Sequence, residues 1–451
     1  MKIEDLRILY FLGIGGIGMS ALARYCASLG IEIHGYDSTP SKLTSALIDE
    51  GMLIHFNEDV KAIPDNTDLV VYTPAIPKSN IEFRHIDGSP LPMVKRSQFL
   101  GLLSQEYFTI AVAGTHGKTS ISSILAHILF KANKKVTALI GGVMNNYSNN
   151  TIISKDTDYL ILEADEFDRS FLWLEPDISI ISSVDDDHLD VYTNSDGIKA
   201  GFAAFAGRND KDGLLILNDG VEKFEDISIE SISYGLTKNA DYRAEGIHIL
   251  DGKFVFDFIF PTSRIERIKM RIPGRHYIEN AMAAASAALQ LGVKKEDIKI
   301  GLETFAGVER RFEYKVNNAD MIFIDDYAHH PREIEKTLAA IKELYPDKKL
   351  TVVFQPHLYS RTRDFADGFA KSLEIADNII LLGIYPAREL PIKGVTSAII
   401  LEKIDKKNKK ILSKQELKEY VKENDIELLV SLGAGNIGVL AEELKDLLKN
   451  R

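Results

Sequence analysis

The sequence predicts an α/β protein of three domains, each built on a mostly parallel sheet with helices on its faces. Three observations support this fold class. Apolar, β-rich runs alternate with helical patterns along most of the chain, and two glycine-rich segments each follow a predicted strand and open a predicted helix. The length of 451 residues corresponds to about three domains of ordinary size. The predicted domains are residues 1–105, 106–312 and 313–451.

The first domain is predicted from strands and helices in β-α-β order. Strands are expected at residues 7–12, 31–36 and 69–72, and helices at residues 18–29 and 41–50. Two prolines and a polar stretch indicate that this domain ends near residue 105.

The central domain is predicted to begin with a strand at residues 108–113 and to carry further strands at residues 159–162 and 178–182. Three later segments alternate in hydrophobicity with a period of two residues, and Asp251-Gly252 forms a turn between the first two. They predict an antiparallel insertion at residues 242–249, 254–260 and 265–272. An alanine-rich helix is expected at residues 280–291.

The last domain again alternates strands with helices, which predicts a third α/β unit. Its strands are expected at residues 321–324, 350–354, 378–382 and 427–431. Its helices are expected at residues 332–344, 362–375 and 436–449.

Composition argues against several classes of protein. The 54 basic and 66 acidic residues give a net charge of −12, which disfavours nucleic-acid binding and binding to anionic membranes. Cys26 is the single cysteine, so an intramolecular disulfide is excluded and a reducing compartment is favoured. No run of about 20 apolar residues predicts a membrane span, and the first residues lack a signal-peptide cleavage site. We therefore expect a soluble cytoplasmic protein.

The first glycine-rich segment places Gly13, Gly15, Gly16 and Gly18 between a strand and a helix. Glycines at these positions let the backbone approach a diphosphate at the helix N-terminus. Asp37 ends the next strand, where a ribose partner is expected. The pattern favours a dinucleotide or nucleotide-sugar site and does not distinguish between them. The alternative is that the glycines serve only close helix packing.

The second glycine-rich segment follows the strand at residues 108–113 and opens a helix. Its backbone N–H groups would hold phosphates, Lys118 would neutralise phosphate oxygens, and Thr119 would hold Mg²⁺. The usual P-loop has a glycine five residues before Gly117, but Val112 stands there, so the pattern is only partly met. The predicted phosphate-binding residues are Gly114, Thr115, His116, Gly117, Lys118, Thr119 and Ser120.

Two acidic clusters each follow a buried strand of the central domain. The first contains Glu163, Asp165 and Glu166, and the second contains residues 185–187 with His188. Carboxylates at the carboxyl end of a strand beside the P-loop strand suit one or two Mg²⁺ ions that bridge phosphates. A solvated acidic turn is the alternative for the second cluster.

Two smaller motifs lie between the P-loop and the last domain. His276 and Asn280 share a helix face, where they either contact a ligand or satisfy local backbone groups. Arg310 and Arg311 lie at the predicted domain junction. They are either ordinary surface charges or reach a γ-phosphate when the domains close.

Two polar segments of the last domain, residues 325–331 and 355–363, each follow a strand and open a helix. Both are therefore expected at the carboxyl edge of that sheet, where ligands bind in open α/β folds. Their His, Arg and Tyr side chains could hold a small carboxylate and accept an amine proton. A zinc site formed by His329 and His357 is an alternative, but no third ligand is evident and arginines crowd the segment.

Taken together and in order, these motifs resemble the Mur ligase family over essentially the whole chain. The matching blocks are GIGGIGMSALA, AGTHGKTS, EADEFDRSFL, DDDHLD, PGRH, RRFE, DDYAHHP, FQPHLYSRTRDF and LGAGNIG. The resemblance implies a Rossmann-like UDP-sugar domain, a P-loop ATPase domain, and a Rossmann-like C-terminal domain that binds an amino acid. The glycine loop would then hold a UDP-sugar rather than the dinucleotide cofactor of a dehydrogenase.

The resemblance also implies an ATP-dependent ligase of peptidoglycan precursor synthesis. It would join L-alanine to the carboxylate of UDP-N-acetylmuramate through an acyl phosphate, with ATP and Mg²⁺ as cofactors. No nucleic-acid partner or membrane insertion is implied, and a monomer or weak homodimer is expected. The nearest alternative is a recycling ligase that joins a ready-made wall peptide to the same UDP-sugar. A non-catalytic nucleotide-binding regulator is a more distant alternative.

The resemblance assigns roles to individual residues. The catalytic residues would be Lys118, Glu163, His188, Arg311 and His329, and the Mg²⁺ ligands would be Thr119, Glu163 and His188. ATP would also contact His276, Asn280, Arg311 and Asp326. The UDP-sugar would contact Gly13, Gly15, Gly16, Gly18, Asp37, Thr73, Ala75 and His116. L-Alanine would contact Tyr327, His329, His330, His357, Tyr359, Arg361 and Arg363.

Three positions depart from the family pattern. Tyr277 stands where asparagine is common, Ala328 replaces a frequent glycine, and Leu358 replaces a frequent arginine. The Leu358 departure removes one candidate partner for the alanine carboxylate and leaves Arg361 or Arg363 for that role.

Overall fold

The computed structural model describes residues 3–185, 195–224, 227–387 and 389–449. The chain forms two compact units. The first comprises Met1–Glu245, Asp257–Ile268 and Glu279–Phe305, and the second comprises Gly246–Phe256, Lys269–Ile278 and Ala306–Arg451. Within these described ranges, the strands form three sheets, of five, ten and six strands.

The first sheet belongs to the N-terminal part of the chain. Its elements are β1 Ile8–Leu12, α1 Ile17–Ser28, β2 Glu32–Tyr36, α2 Lys42–Asp49, β3 Leu53–His55, β4 Leu69–Tyr72, α3 Ile81–Asp87, β5 Met93–Lys95 and α4 Arg96–Ser104. The strands are all parallel, in the order β3-β2-β1-β4-β5. The central strand β1 is almost entirely apolar and buried, as a strand covered on both faces must be.

The second sheet belongs to the central part. Its elements are β6 Phe108–Ala113, α5 Lys118–Lys131, β7 Val136–Met144, β8 Asn149–Ile152, β9 Tyr159–Glu163, β10 Ile178–Ile181, α6 Ser195–Ala206, β11 Leu214–Asn218, β12 Glu230–Gly235, β13 Tyr242–Leu250, β14 Lys253–Phe260, β15 Ser263–Lys269, α7 Arg275–Gln290 and α8 Lys295–Thr304. The strand order is β15-β14-β13-β12-β11-β10-β6-β9-β7-β8. β6 lies between β10 and β9 and is parallel to both, so the residues that follow these three strands meet at one edge.

The predicted turn at Asp251-Gly252 joins two strands that are neighbours in this sheet, β13 and β14. Both turn residues have positive φ, 52° for Asp251 and 68° for Gly252. This is the conformation that a tight two-residue hairpin requires, and a connection this short joins antiparallel strands.

The third sheet belongs to the C-terminal part. Its elements are β16 Glu313–Asn317, β17 Ile322–Asp326, α9 Pro331–Leu344, β18 Leu350–Phe354, α10 Tyr359–Asp364, α11 Ala366–Leu373, β19 Asn378–Leu381, α12 Ala398–Leu401, β20 Lys409–Ile411, α13 Lys414–Glu423, β21 Leu428–Leu432 and α14 Ile437–Lys449. The order is β16-β17-β21-β18-β19-β20, and only β16 runs antiparallel to its neighbour.

The structure changes two predicted helices. The helix predicted at residues 362–375 is two helices, α10 and α11, because Phe365 leaves helical geometry at φ −112° and ψ 19°. The helix predicted at residues 280–291 begins at Arg275, so that His276 lies in its first turn. Within the described ranges, no helix is long and apolar enough to cross a membrane.

Candidate active site

The glycine-rich loop of the first unit is shaped by bonds to the end of β2. The N–H groups of Gly13 and Ile14 donate to the Tyr36 carbonyl at 2.8 and 3.1 Å, and Gly13 has a φ of 88°. The N–H of Gly15 donates to Asp37 Oδ2 at 2.8 Å. A Cβ at Gly15 would lie 2.7 Å from the same oxygen, so only glycine fits. The loop therefore presents its backbone at the start of α1.

Other residues predicted to bind the UDP-sugar lie around this loop. Gly16 is the N-cap of α1, and Thr73 packs so closely on Gly13 that a Cβ there would lie 2.5 Å from Thr73 Cγ2. Ala75 is exposed in the following turn, where its N–H donates to Thr73 Oγ1 at 3.4 Å. The structure thus brings the glycines, Asp37 and Thr73 to one edge of the first sheet.

Arg96 was not predicted, yet its guanidinium lies against the glycine loop. A Cβ at Gly18 would lie 1.7 Å from Arg96 Nη1. Arg96 begins α4 directly after β5 and therefore lies at the same sheet edge as the loop. In the described part of the chain, Arg96 takes part in no ion pair. A cation directly after a strand was the sequence signal that could have identified it.

A cavity of about 270 Å³ joins the glycine loop to the predicted P-loop. Gly18 and Arg96 line it from the first sheet, and Lys118, Gly141 and Glu163 line it from the second. One partly open cavity therefore carries two cations, the two carboxylates of Glu163 and Asp165, and Gly18 from the end of the glycine loop.

The P-loop runs from the end of β6 to α5, where Gly117 is the N-cap at a φ of 87°. Its first residues are held by Ser183, which follows β10. The N–H of Thr115 donates to the Ser183 carbonyl at 3.2 Å, and the N–H of His116 donates to the Ser183 hydroxyl at 3.0 Å. His116 Nε2 lies 3.4 Å from Asp185 Oδ2. Ser183 anchors the loop and was not identified from the sequence.

Lys118 makes two short hydrogen bonds within this site. Its Nζ donates to the Gly114 carbonyl at 2.7 Å and to Glu166 Oε2 at 2.6 Å. Burial disfavours the cation, but Glu166 and Asp165 outweigh burial and raise the pKa of Lys118. Lys118 is therefore cationic, as phosphate binding requires. A nucleotide phosphate at this position would compete with Glu166, a pairing that the sequence did not predict.

Thr119 and Glu163, both predicted as Mg²⁺ ligands, are joined by a hydrogen bond. Thr119 Oγ1 donates to Glu163 Oε2 at 3.0 Å, and the Gly141 N–H donates to Glu163 Oε1 at 2.6 Å. A hydroxyl and a carboxylate are oxygen ligands that Mg²⁺ prefers, and phosphate oxygens and water complete such sites. The residues present therefore fit Mg²⁺.

The third predicted metal ligand, His188, lies outside the described residues, as do Asp186 and Asp187. Among the residues that the structure describes, no group of three His, Cys, Asp or Glu side chains could hold a metal ion. This finding also applies to the zinc alternative at His329 and His357.

Two further predicted ATP residues lie at the P-loop helix. Asn280 in α7 faces the P-loop glycine, because a Cβ at Gly117 would lie 2.7 Å from Asn280 Oδ1. Ser120 is buried in the first turn of α5. Both belong to the first unit with Lys118.

In the second unit, the surroundings of Arg311 favour its charged form, and the surroundings of His276 favour its neutral form. Burial opposes the Arg311 cation, but the carboxylates of Glu333 and Asp326 raise the pKa of its guanidinium, which lies 5.1 Å from the centre of the Tyr327 ring. Burial, reinforced by nearby cations, lowers the pKa of His276 to about 3. His276 is therefore neutral at physiological pH, and Arg311 is charged.

Asp326, predicted to contact the ATP ribose, is buried at the end of β17. Its two oxygens accept the backbone N–H groups of Phe312 and Ala328, each at 2.8 Å. Burial raises its pKa to about 6 although the nearby Arg311 opposes this shift. Asp326 therefore shapes the turn that follows β17. Arg310 is also structural, because its Nε donates to Asp325 at 2.9 Å.

Four aromatic rings form a row along the carboxyl edge of the third sheet. The ring centres of Tyr327 and His329 are 5.4 Å apart, those of His329 and His357 are 6.1 Å apart, and those of His357 and Tyr385 are 5.7 Å apart. Arg361 is buried in the neighbouring helix α10. Tyr385 was not predicted, although it follows β19 as the other ring residues follow their strands.

Three other residues predicted to bind L-alanine have different surroundings. The Arg363 side chain is 54% exposed and pairs with Asp364 at 2.7 Å. His330 is the N-cap of α9 and packs its ring on Phe365, with 5.0 Å between the ring centres. Tyr359 is the first residue of α10 and is half-buried. The structure thus separates Arg363 from the buried Arg361.

The three positions that depart from the family pattern are accommodated in the second unit. Tyr277 is buried and packs on His276, with 4.5 Å between the ring centres. Ala328 is buried. Leu358 has a φ of 69°, and its N–H donates to the Tyr385 carbonyl at 2.9 Å.

Three models of known protein families match consecutive parts of this chain. The model of the Mur ligase family catalytic domain matches residues 8–108, that of the Mur ligase middle domain matches residues 112–288, and that of the Mur ligase glutamate ligase domain matches residues 310–433. The chain belongs to the Mur ligase family. The three-domain α/β fold predicted from the sequence is confirmed as that of this family.

Individual Mur ligases are similar to this chain over their full length. The UDP-N-acetylmuramate–L-alanine ligase of Flavobacterium psychrophilum is 45% identical over 451 residues, which cover 99% of each chain. The solved UDP-N-acetylmuramate-alanine ligase of Thermotoga maritima is 26% identical, with a TM-score of 0.82 and coverage of 98% of this chain and 99% of that one. A murein peptide ligase from Psychrobacter arcticus shares the fold at 24% identity and a TM-score of 0.73, covering 99% of both chains.

Proposed function

We propose that this Mur ligase joins L-alanine to the carboxylate of UDP-N-acetylmuramate in an ATP-dependent step of peptidoglycan precursor synthesis. The cavity in which Gly18 and Arg96 face Lys118 and Glu163 carries this proposal. The side with Gly18 and Arg96 suits an anionic sugar nucleotide, and the side with Lys118 and Glu163 suits the phosphates of a nucleoside triphosphate. The named relatives of this chain support the choice of substrates.

The chemistry follows from the poor reactivity of a carboxylate. Transfer of the γ-phosphoryl group of ATP to the muramoyl carboxylate forms an acyl phosphate and ADP. The neutral amine of L-alanine then attacks the acyl carbon, and phosphate leaves. Lys118 would hold phosphate oxygens and stabilise the charge that spreads over them in the transition state.

Thr119 and Glu163 would hold Mg²⁺, with His188 as the further predicted ligand. The bound ion would neutralise phosphate charge. The hydrogen bond from Gly141 to Glu163 fixes the orientation of this carboxylate independently of the ion. We assign His276, Asn280, Arg311 and Asp326 to the ATP site on family resemblance.

We also assign Arg96 to the UDP-sugar site. Its guanidinium lies in the cavity against Gly18, at the start of the helix whose N-terminus faces the predicted diphosphate. A guanidinium binds phosphate or carboxylate oxygens with two parallel hydrogen bonds. Arg96 would therefore bind an anionic group of UDP-N-acetylmuramate.

We propose that L-alanine binds at Arg361 and the row of aromatic rings along the carboxyl edge of the third sheet. The guanidinium of Arg361 would bind the alanine carboxylate, and His329 or His357 would accept the amine proton. We further propose that the enzyme is cytoplasmic, acts as a monomer or weak homodimer, and has domain boundaries near residues 105 and 312.

The test is ATP-dependent phosphate release with UDP-N-acetylmuramate and Mg²⁺, with L-alanine or the wall tripeptide as acceptor. The proposal predicts turnover with L-alanine and little with the peptide. Turnover with the peptide alone would mean that the chain is the recycling ligase. A Glu163→Gln variant should retain the fold and lose most of its turnover. Failure of both acceptors would leave a nucleotide-binding regulator.

A further inference from the structure

One buried side chain connects the first sheet to the second. Asn150 in β8 is fully buried, and its amide is bonded on both sides by helix α1. Its Nδ2 donates to the Ile17 carbonyl at 2.7 Å and to Ser20 Oγ at 3.1 Å. Its Oδ1 accepts a bond from Arg24 Nη1 at 2.5 Å. The helix that carries the glycine loop is therefore bonded directly to a strand of the ATP-binding sheet.

Arg24 extends this connection within the first sheet. It is buried, and it also donates from Nε and Nη2 to the carboxylate of Glu50, at distances of 2.6–3.0 Å. The guanidinium is thus held by Glu50, the C-cap of α2, on one side and by Asn150 on the other. The guanidinium of Arg24 is planar and donates to Glu50 and to Asn150. Each of these bonds restricts the orientation of the same rigid group.

On the other side, Asn150 is linked to the catalytic carboxylate by a short path. The next residue, Thr151, pairs with Leu139 in the antiparallel β7–β8 ladder. Leu139 and Gly141 of β7 line the shared cavity, and the N–H of Gly141 donates to Glu163. Glu163 in turn accepts a hydrogen bond from the Thr119 hydroxyl. One continuous set of strand and side-chain bonds therefore joins the start of α1 to the P-loop threonine.

The buried cores around this connection are also continuous. A single apolar cluster contains Leu22 and Tyr25 of α1 together with Leu139 and Leu160 of the second sheet. Packed cores of this kind are not continuously deformable. A displacement of α1 would therefore be transmitted to the β7–β8 hairpin.

We propose that Asn150 is a positioning residue that fixes the UDP-sugar loop relative to the P-loop. The inference rests on the proposed function, in which a carboxylate at one loop attacks a phosphorus held by the other. A misplacement of about 1 Å between reacting groups can cost about 10²-fold in rate, so in-line phosphoryl transfer depends on how the two loops are positioned. In the described part of the chain, the Asn150 amide bonds only to residues of α1, so Asn150 acts through α1 and, along β8 and β7, through Glu163.

The adjacent Asn149 provides a matched control. It lies on the same strand, but its side chain accepts bonds from the backbone N–H and hydroxyl of Thr151, at 3.2 and 3.1 Å, within β8 itself. Successive residues of a strand face opposite sides. Asn149→Ala therefore removes the same amide group from the same hairpin without touching the connection to α1.

The experiment compares Asn150→Ala with Asn149→Ala and the unaltered chain. For each protein, kcat and KM are measured with ATP, L-alanine and UDP-N-acetylmuramate, and the Kd values of ADP and of the UDP-sugar are measured by calorimetry. We expect kcat of Asn150→Ala to fall by about 10- to 100-fold, because the two loops lose their alignment. Both Kd values should stay within about twofold, since each binding site remains intact. Asn149→Ala should match the unaltered chain.

Equal kcat values for the two variants, each normalised to the concentration of ADP-binding sites, would overturn the inference. So would a loss of ADP or UDP-sugar binding by Asn150→Ala, because that result means a general loss of structure. If Asn150→Ala is not recovered folded, Arg24→Lys carries the same test, since lysine cannot bond Glu50 and Asn150 in the same fork geometry. Absence of turnover in the unaltered chain would instead reject the proposed function itself.

Discussion

A single added methyl group offers a sharp test of the UDP-sugar site. In Gly18→Ala the new Cβ would lie 1.7 Å from Arg96 Nη1. Ordinary contact needs about 3.5 Å, so the guanidinium must move by roughly 2 Å. Gly18 is the second residue of α1, and alanine is favoured over glycine in helices by up to about 1 kcal/mol. The fold should therefore persist while Arg96 leaves its position in the cavity.

The expected loss of affinity follows from the bond that is broken. A hydrogen bond to a charged group contributes about 1.5–3 kcal/mol. We therefore expect the Kd of UDP-N-acetylmuramate to rise by roughly 10- to 150-fold in Gly18→Ala, measured by calorimetry. Arg96→Met should show a similar loss. The double variant should be no weaker than Arg96→Met, because both changes remove the same interaction.

The neighbouring Lys95 provides the control for this series. Its ammonium is held by Asp168 at 2.9 Å, and it does not line the cavity. Lys95→Met should therefore bind the UDP-sugar nearly as well as the unaltered chain. Normal affinity in both Gly18→Ala and Arg96→Met, with unchanged thermal stability, would refute the assignment of Arg96.

Three further predictions concern the remaining site. Lys118→Ala should lose about 10²–10³ in kcat, the cost of removing one transition-state donor, and near-normal phosphate release would reject its role. Arg361→Ala should raise the KM for L-alanine at least about tenfold, whereas the exposed Arg363→Ala should change it less than about twofold; equal effects would contradict the proposed pocket. His276 has a folded pKa of about 3, below its ordinary value, so the unfolded chain binds the extra proton at low pH. Stability should therefore fall as pH drops from about 6.5 towards 3, by at most about 1.4 kcal/mol per pH unit, and His276→Gln should flatten this dependence in urea unfolding.

Much of the fold was accessible from the sequence because local patterns encode it. The strands β4, β6 and β18 have the predicted ends, since each is an apolar run bounded by turn residues. The break at Phe365 was missed, because α10 and α11 share one continuous helical pattern and tertiary packing interrupts it. The alanine-rich run alone indicated a helix at residues 280–291, and the start of α7 at Arg275 agrees with the shared helix face of His276 and Asn280.

The sequence alone determined the fold class and placed the two glycine-rich segments and the cluster of Glu163 directly after strands. These features depend on residue order, since parallel strands place whatever follows them at one edge. Only the tertiary structure showed Arg96 against Gly18, Glu166 on Lys118, and Asn150 between two sheets. Lys118 and Glu166 are 48 residues apart in the sequence, and Arg24 and Asn150 are 126 residues apart. No local sequence pattern indicates either contact. Side-chain partners of this kind are decided by which elements pack together, and that packing exists only once the chain has folded.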